Sequence, residues 1–179
     1  MGDARRPGVS PVSTPGFWSG ILEMASGAGT RMGSRLLPIL AGGLMPVIVV
    51  TRLRLIDPAL FDEFFASAVA VTEQARNSDG NLGADVLADA NNVFWTLTSW
   101  QARGPMQAFV GSEPHLATMA RLDDWCDEAT FADWEQSTVG LPDWRTGYDH
   151  LIADGQSASL TRATTAHLTR TFPAPVTAS

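Results

Sequence analysis

A chain of 179 residues can hold one ordinary domain and an extension but not two good cores, and its 45% hydrophobic and 17% charged content belongs to a folded chain. The formal net charge of -7 and a pI near 4.8 exclude general phosphate-backbone binding, which needs a clustered basic surface, so no nucleic-acid partner is expected. All 12 basic residues are Arg, which excludes Schiff-base and P-loop lysine chemistry and reads as a GC-rich bacterial coding bias.

Residues 1–15 are rich in Pro, Gly and Ser and carry no periodicity. From Phe17 to Leu40, the apolar positions Trp18, Ile21, Leu22 and Met24, then Leu36, Leu37 and Leu40, fit one or two short amphipathic helices, weakened by intervening glycines. The extension at 1–44 is therefore expected to be flexible or partly helical, with 17–44 a candidate for contact with a membrane surface or a partner. The apolar run from Leu36 to Val50 contains Pro38, Gly42, Gly43 and Pro46 and is shorter than the roughly 20 residues that a spanning helix needs. Gly27, Gly29 and Gly33 do not form a nucleotide loop, because no strand precedes them and no lysine follows.

Pro46 to Leu55 alternates and is rich in β-branched residues, with Arg52 and Arg54 on one face and Leu53 and Leu55 on the other, which predicts a first strand. Asp57-Pro58 opens a helix, the Asp side chain accepting from orphan amides and Pro suiting the first turn. Leu60, Phe61, Phe64, Phe65, Ala68, Val69 and Thr72 share one face, so this helix is predicted to run to about Arg76 with that face inward. Leu82 to Leu87 is a second strand, Ala88 to Asn92 a hairpin turn, and Val93 to Trp100 a third strand. After Arg103-Gly104-Pro105 comes a helical piece bearing Met106, Phe109 and Val110. Gly111 breaks it, and Ser112 is placed to cap a second piece running to about Asp124. Phe131 to Ser137 reads as a fourth strand. A last helix begins at Pro142, carries Trp144, Tyr148, Leu151 and Ile152 on one face and ends at Gly155. From Ser157 the Thr- and Ala-rich chain is expected as a loosely held tail.

The order strand, helix, strand, strand, helix, strand predicts an α+β domain over 45–160. It is a ferredoxin-like split βαβ antiparallel sheet with two helices on one face, followed by a C-terminal tail at 161–179. Such a sheet leaves its other face bare, so a homodimer is expected.

Residues 91–125 gather the residues with chemistry. On the third strand Val93, Trp95 and Leu97 share one face, while Phe94, Thr96, Thr98 and Trp100 share the other. One face must be core; the mixed aromatic and hydroxyl face fits a dimer seam or a cavity wall. His115 falls in the first turn of the second helical piece, where the helix dipole favours a neutral imidazole. It reads as a cap of that turn or as a pocket group. Trp125 and Trp134 read as core, and Arg121 as a surface ion pair with Asp123 or Asp124. Asn91 and Asn92 are explained by turn chemistry. Cys126, the only cysteine, has no activating neighbour and cannot form an intramolecular disulfide, which points to a reducing cytoplasm. His150 and His167 have no metal-ligand spacing, so no metal site is predicted, and no Ser-His-Asp arrangement emerges.

The run from Thr98 to Trp125, preceded by Val49 to Leu55 and a hairpin, resembles the antibiotic-biosynthesis monooxygenase superfamily of dimeric α+β barrels. Within it the similarity is to a bacterial family of uncharacterised domains. There a strand ends in Trp, a helix carries an aromatic followed six residues on by His, and a Trp closes the helix. The matching positions are Trp100, Phe109, His115 and Trp125, and Leu141 to Trp144 and Leu151 to Gly155 resemble that family's C-terminal helix and glycine. The resemblance spans about 45–160. It implies a dimer and a cofactor-free monooxygenase acting on a hydrophobic, aromatic small molecule, with His115 catalytic and Phe94, Trp100, Phe109 and Met119 contacting substrate. The heme-degrading branch has an Asn, a Trp and a His where this chain has Thr51, Phe109 and Met119, so that chemistry is not expected. Similarity of the same helix to a spheroidene-monooxygenase-like heme protein leaves heme possible, with His115 as iron ligand. A non-catalytic dimeric module docking through 1–44 is the third reading.

Overall fold

The computed structural model describes residues 45–176; the expectations for the extension at 1–44 lie outside the described residues. Four long strands form the sheet: β1 (Val47–Leu55), β2 (Asn81–Asp89), β3 (Val93–Trp100) and β4 (Cys126–Glu135). A two-residue edge strand, β5 (Gln156–Ser157), extends it, and the order is β2-β3-β1-β4-β5 with every pair antiparallel. β1 is central because its β-branched run is apolar on both sides. Thr51 pairs with Thr96 on β3 and with Phe131 on β4, which sets three side chains on one face.

Helix α1 (Phe61–Asn77) and a broken arm of three short helices, α2 (Arg103–Val110), α3 (His115–Ala120) and α4 (Leu122–Trp125), lie on that face. Asp57 accepts from the Ala59 amide at 2.9 Å and starts the short turn before α1, as its side chain dictates. Asn91 and Asn92 hold φ of 61° and 60° at the β2–β3 turn, a conformation Asn tolerates better than most residues.

The sheet's second face is not bare. Helix α5 (Trp144–Asp154) and Phe172, which follows the short α6 (Thr165–Thr169), pack across it. Leu151 and Phe172 are buried there with Ile48, Val50, Trp95 and Leu97. The arrangement is ferredoxin-like with two helical elements on the expected face, but the bare face from which a homodimer was argued is occupied by the chain itself. The segment from Ser157 that read as a loose tail is docked: β5 pairs with Thr130 and Phe131, and His167 and Phe172 are buried. Its Thr and Ala content concealed this, because two large side chains and a few hydrogen bonds hold it rather than a continuous apolar stripe.

Two further elements differ from expectation. The inward stripe of α1 is Phe64, Ala68, Val71 and Ala75, while Phe61, Phe65 and Val69 remain 39%, 46% and 40% exposed. An apolar sector this wide lets the sheet choose which part is covered. β4 starts at Cys126, not Phe131, because Cys126 and Glu128 are ladder residues on either side of a bulge at Asp127, and the Asp127 and Glu128 carboxylates pair with arginines on β1.

Candidate active site

A partly enclosed cavity of about 130 Å3 lies between the sheet and helices α1 to α3. β3 contributes Phe94, Thr96, Thr98 and Trp100, β1 contributes Val49, Thr51 and Leu53, and the arm contributes Phe109, His115 and Met119. The structure therefore brings all five sequence-selected residues, His115, Trp100, Phe109, Met119 and Phe94, to one cavity. It also decides between the two uses left open for the mixed face of β3, which is a cavity wall.

The strand alternation explains the lining. Residues of β3 pointing away from the cavity, Val93, Trp95 and Leu97, fill the packed core on the far side, so their alternates must face the arm. Trp100 lies under Phe109 with ring centroids 5.0 Å apart, and Phe109 meets the His115 ring at 4.7 Å, so the three rings form a continuous wall. The Trp100 indole N–H donates to Thr98 Oγ1 at 2.9 Å, which fixes the indole's rotation.

His115 is buried at the start of α3. Its Nδ1 donates to the Val110 carbonyl at 3.1 Å, since a carbonyl only accepts; Nε2 is then the ring's acceptor. Burial lowers its pKa to about 4, partly offset by that hydrogen bond, so the imidazole is neutral near pH 7. The expectation of a neutral ring holds, but desolvation rather than the dipole of a six-residue helix is its cause. Ser112 does not cap α3 with its side chain; its hydroxyl donates to the Phe109 carbonyl at 3.0 Å.

Gln74 on α1 was not singled out from sequence, yet it braces the break in the arm. Its Oε1 accepts from the His115 amide at 2.9 Å, and its Nε2 donates to Ser112 Oγ at 2.7 Å. The available signal was an amide beside the Val71–Ala75 stripe of an otherwise apolar face. Thr51 and Thr96 were likewise overlooked as a pair. Their Oγ1 atoms are 2.5 Å apart at the middle of the cavity floor. One hydroxyl donates to the other, and the accepting hydroxyl still has a proton of its own to donate.

The remaining candidates lie elsewhere. Cys126 is buried with its thiol pushed up to about 12, chiefly by desolvation, which makes it a poor nucleophile. Trp125 is core, whereas Trp134 is only partly buried and stacks on His150 at 3.8 Å. Arg121 bridges Glu63 and Asp124 on the surface. His167 accepts from the Ala129 amide at 3.3 Å and donates Nε2–H to the Ala158 carbonyl at 2.9 Å, so it fastens the C-terminal segment. Among the described residues no cluster of His, Cys, Asp and Glu can hold a metal ion, and no helix is long and apolar enough to cross a membrane.

An antiparallel sheet with a cavity under a broken helical arm defines an α+β domain of the ferredoxin-like kind. The family model described as antibiotic biosynthesis monooxygenase matches residues 46–121, which contain every named residue of the cavity wall from Thr51 to Met119. At these positions the chain is similar to the antibiotic biosynthesis monooxygenase family. No curated protein matches the chain. It is similar to the solved structure of a conserved protein from Methanosarcina mazei, at 16% identity and a TM-score of 0.47, covering 51% of this chain and 92% of that one. A Mycobacterium tuberculosis protein is similar at 19% identity and a TM-score of 0.46, covering 53% of this chain and 96% of that one. A variant of SnoaB, a cofactor-independent oxygenase from Streptomyces nogalater, is similar at 13% identity and a TM-score of 0.45, covering 55% and 98%.

Proposed function

We propose that the protein is a monooxygenase-like enzyme that binds a hydrophobic aromatic small molecule in the cavity beside His115 and oxidises it with O2. The observation that carries this reading is the cavity itself, walled by Phe94, Trp100 and Phe109, with a neutral imidazole at its rim. In such a reaction one atom of O2 enters the substrate, and the other leaves as water with two hydrogens of the substrate. No external reductant is needed. The protein's part is to orient the substrate hydroxyl, accept its proton and keep bulk water away. His115 Nε2 is the acceptor in this scheme. A buried imidazole with a pKa near 4 is a weak base, but a substrate anion beside it offsets the cost of the buried imidazolium.

Heme does not fit this site. A tetrapyrrole is much larger than a space of about 130 Å3.

The test is O2 consumption by the full chain with one-, two- and three-ring phenols as substrates, against the His115→Phe variant. Uptake in the wild type that falls at least about a hundredfold in the variant is expected, the scale of one acid–base group. Equal background uptake in both proteins, with none of the phenols bound, sinks the proposal.

A further inference from the structure

The arm breaks between Val110 and His115, and a break between helices leaves backbone groups to be satisfied. At the start of α3, the amides of Leu116, Ala117 and Thr118 find acceptors within the arm. They donate to the Ser112 carbonyl at 3.0 Å, Glu113 Oε2 at 3.0 Å and the Pro114 carbonyl at 3.1 Å. The amide of His115 differs. Its acceptor is Gln74 Oε1 at 2.9 Å, on a helix 41 residues earlier in the chain. The other end of that side chain serves α2. Gln74 Nε2 donates to Ser112 Oγ at 2.7 Å, and the Ser112 hydroxyl donates to the Phe109 carbonyl at 3.0 Å. One side-chain amide thus joins the end of α2 to the start of α3.

This tie is held from behind. Gln74 stands between Val71 and Ala75 in α1, and those two residues pack with Trp100, Met106 and Phe109, so α1 cannot slide without disturbing that cluster. The ring bond of His115, from Nδ1–H to the Val110 carbonyl, spans the same break. It survives only while α2 and α3 keep their mutual angle, and it is the bond that leaves Nε2 as the acceptor of the ring. We infer that Gln74 is the positioning residue for His115, holding the two pieces at the angle at which Val110 fixes the imidazole tautomer. The role rests on the proposed function, in which Nε2 takes the substrate proton, and a base contributes only when it is held in place.

The experiment compares the full chain with three variants. Gln74→Met keeps the length of the side chain without either hydrogen bond, Gln74→Asn is too short to reach both groups, and Gln74→Glu keeps an acceptor for the His115 amide. Two readouts are taken: the imidazole nitrogen NMR signals of His115 with exchange of its backbone amide, and kcat and KM for O2 uptake. In Gln74→Met and Gln74→Asn the His115 amide is expected to exchange about tenfold faster, the scale of one lost hydrogen bond, and the imidazole to show both tautomers in place of Nδ1–H alone. In Gln74→Glu exchange is expected to stay within about threefold of the wild type, because the acceptor remains. In the first two variants kcat should fall at least about tenfold while KM changes less than about threefold, since misplacing a reacting group costs rate rather than binding. Wild-type amide exchange in β1 and β3 shows that a variant is folded, and one folded variant of the first two suffices. An unchanged tautomer and unchanged His115 amide exchange in that variant overturn the positioning role, as does a rise in KM with kcat retained. If the wild type takes up no O2, the proposed function falls, and the imidazole and amide signals still decide the role of Gln74.

Discussion

The two faces of the same sheet are built in opposite ways. Away from the cavity, Arg52 and Glu128 are 3% and 2% exposed and form an ion pair under Phe172, whose ring lies 4.3 Å from the Arg52 guanidinium. Thr164 donates to Glu128 at 2.8 Å, and Arg54 holds Asp127 through two contacts of 2.8 and 2.6 Å. That side is closed by α5 and the docked C-terminal segment. On the cavity side, residues one step along the same strands, Thr51, Leu53, Phe94 and Thr96, face space. The difference teaches that one face is closed over a buried ion pair, while the other, between two apolar clusters, leaves a void and buries a histidine.

The comparison breaks most severely at the buried ion pair. Glu128→Ala leaves the Arg52 guanidinium buried opposite no carboxylate and is expected to cost about 3–5 kcal/mol in urea unfolding. Replacing both partners by Leu and Met should cost less than this single change. A milder result for the single variant than for the double one would show that the packed face does not depend on charge pairing.

Next comes the pH dependence that the cavity face imposes. The pKa of His115 is lowered in the folded state, from 6.5 to about 4, so the unfolded chain binds more protons between these values. Stability is therefore fully present above about pH 6.5 and falls as pH drops toward 4, by roughly 3 kcal/mol at 1.4 kcal/mol per unit. Unfolding midpoints of the wild type and His115→Phe at pH 7.5 and 4.5 measure this; the same slope in both proteins would remove His115 as its source.

A smaller effect is expected at Gly155, which ends α5 on the packed face. An added Cβ there would stand 2.2 Å from the Leu151 carbonyl oxygen. Gly155→Ala should cost about 1–3 kcal/mol by forcing the α5–β5 turn apart. The smallest effect belongs to the cavity floor. Thr96→Val should change thermal stability by less than about 1 kcal/mol, because it removes one half-buried hydroxyl contact in a region that already holds space. A loss as large as that of Glu128→Ala would erase the contrast between the faces.

Much of the frame could be read locally. β3 spans Val93–Trp100 as its alternation predicts, and the break in the arm falls between Val110 and His115, where Gly111 stands. His115, Phe109 and Trp100 were legible as a set through the spacing of their family resemblance. The contribution of α1 was not. Gln74 is 41 residues from His115, and nothing in its own neighbourhood marks it. The Thr51–Thr96 pair joins positions 45 residues apart through strand register, which no periodicity encodes.

The sequence by itself determined the element order, the alternation of each strand and the break that carries His115, because these follow from residues within a turn or two of one another. Tertiary structure decided which side of β3 faces a cavity, that α5 and Phe172 close the opposite side, and that burial lowers the His115 pKa to about 4. Those outcomes depend on what lies across the sheet from each side chain, and a chain does not state its distant neighbours until it folds.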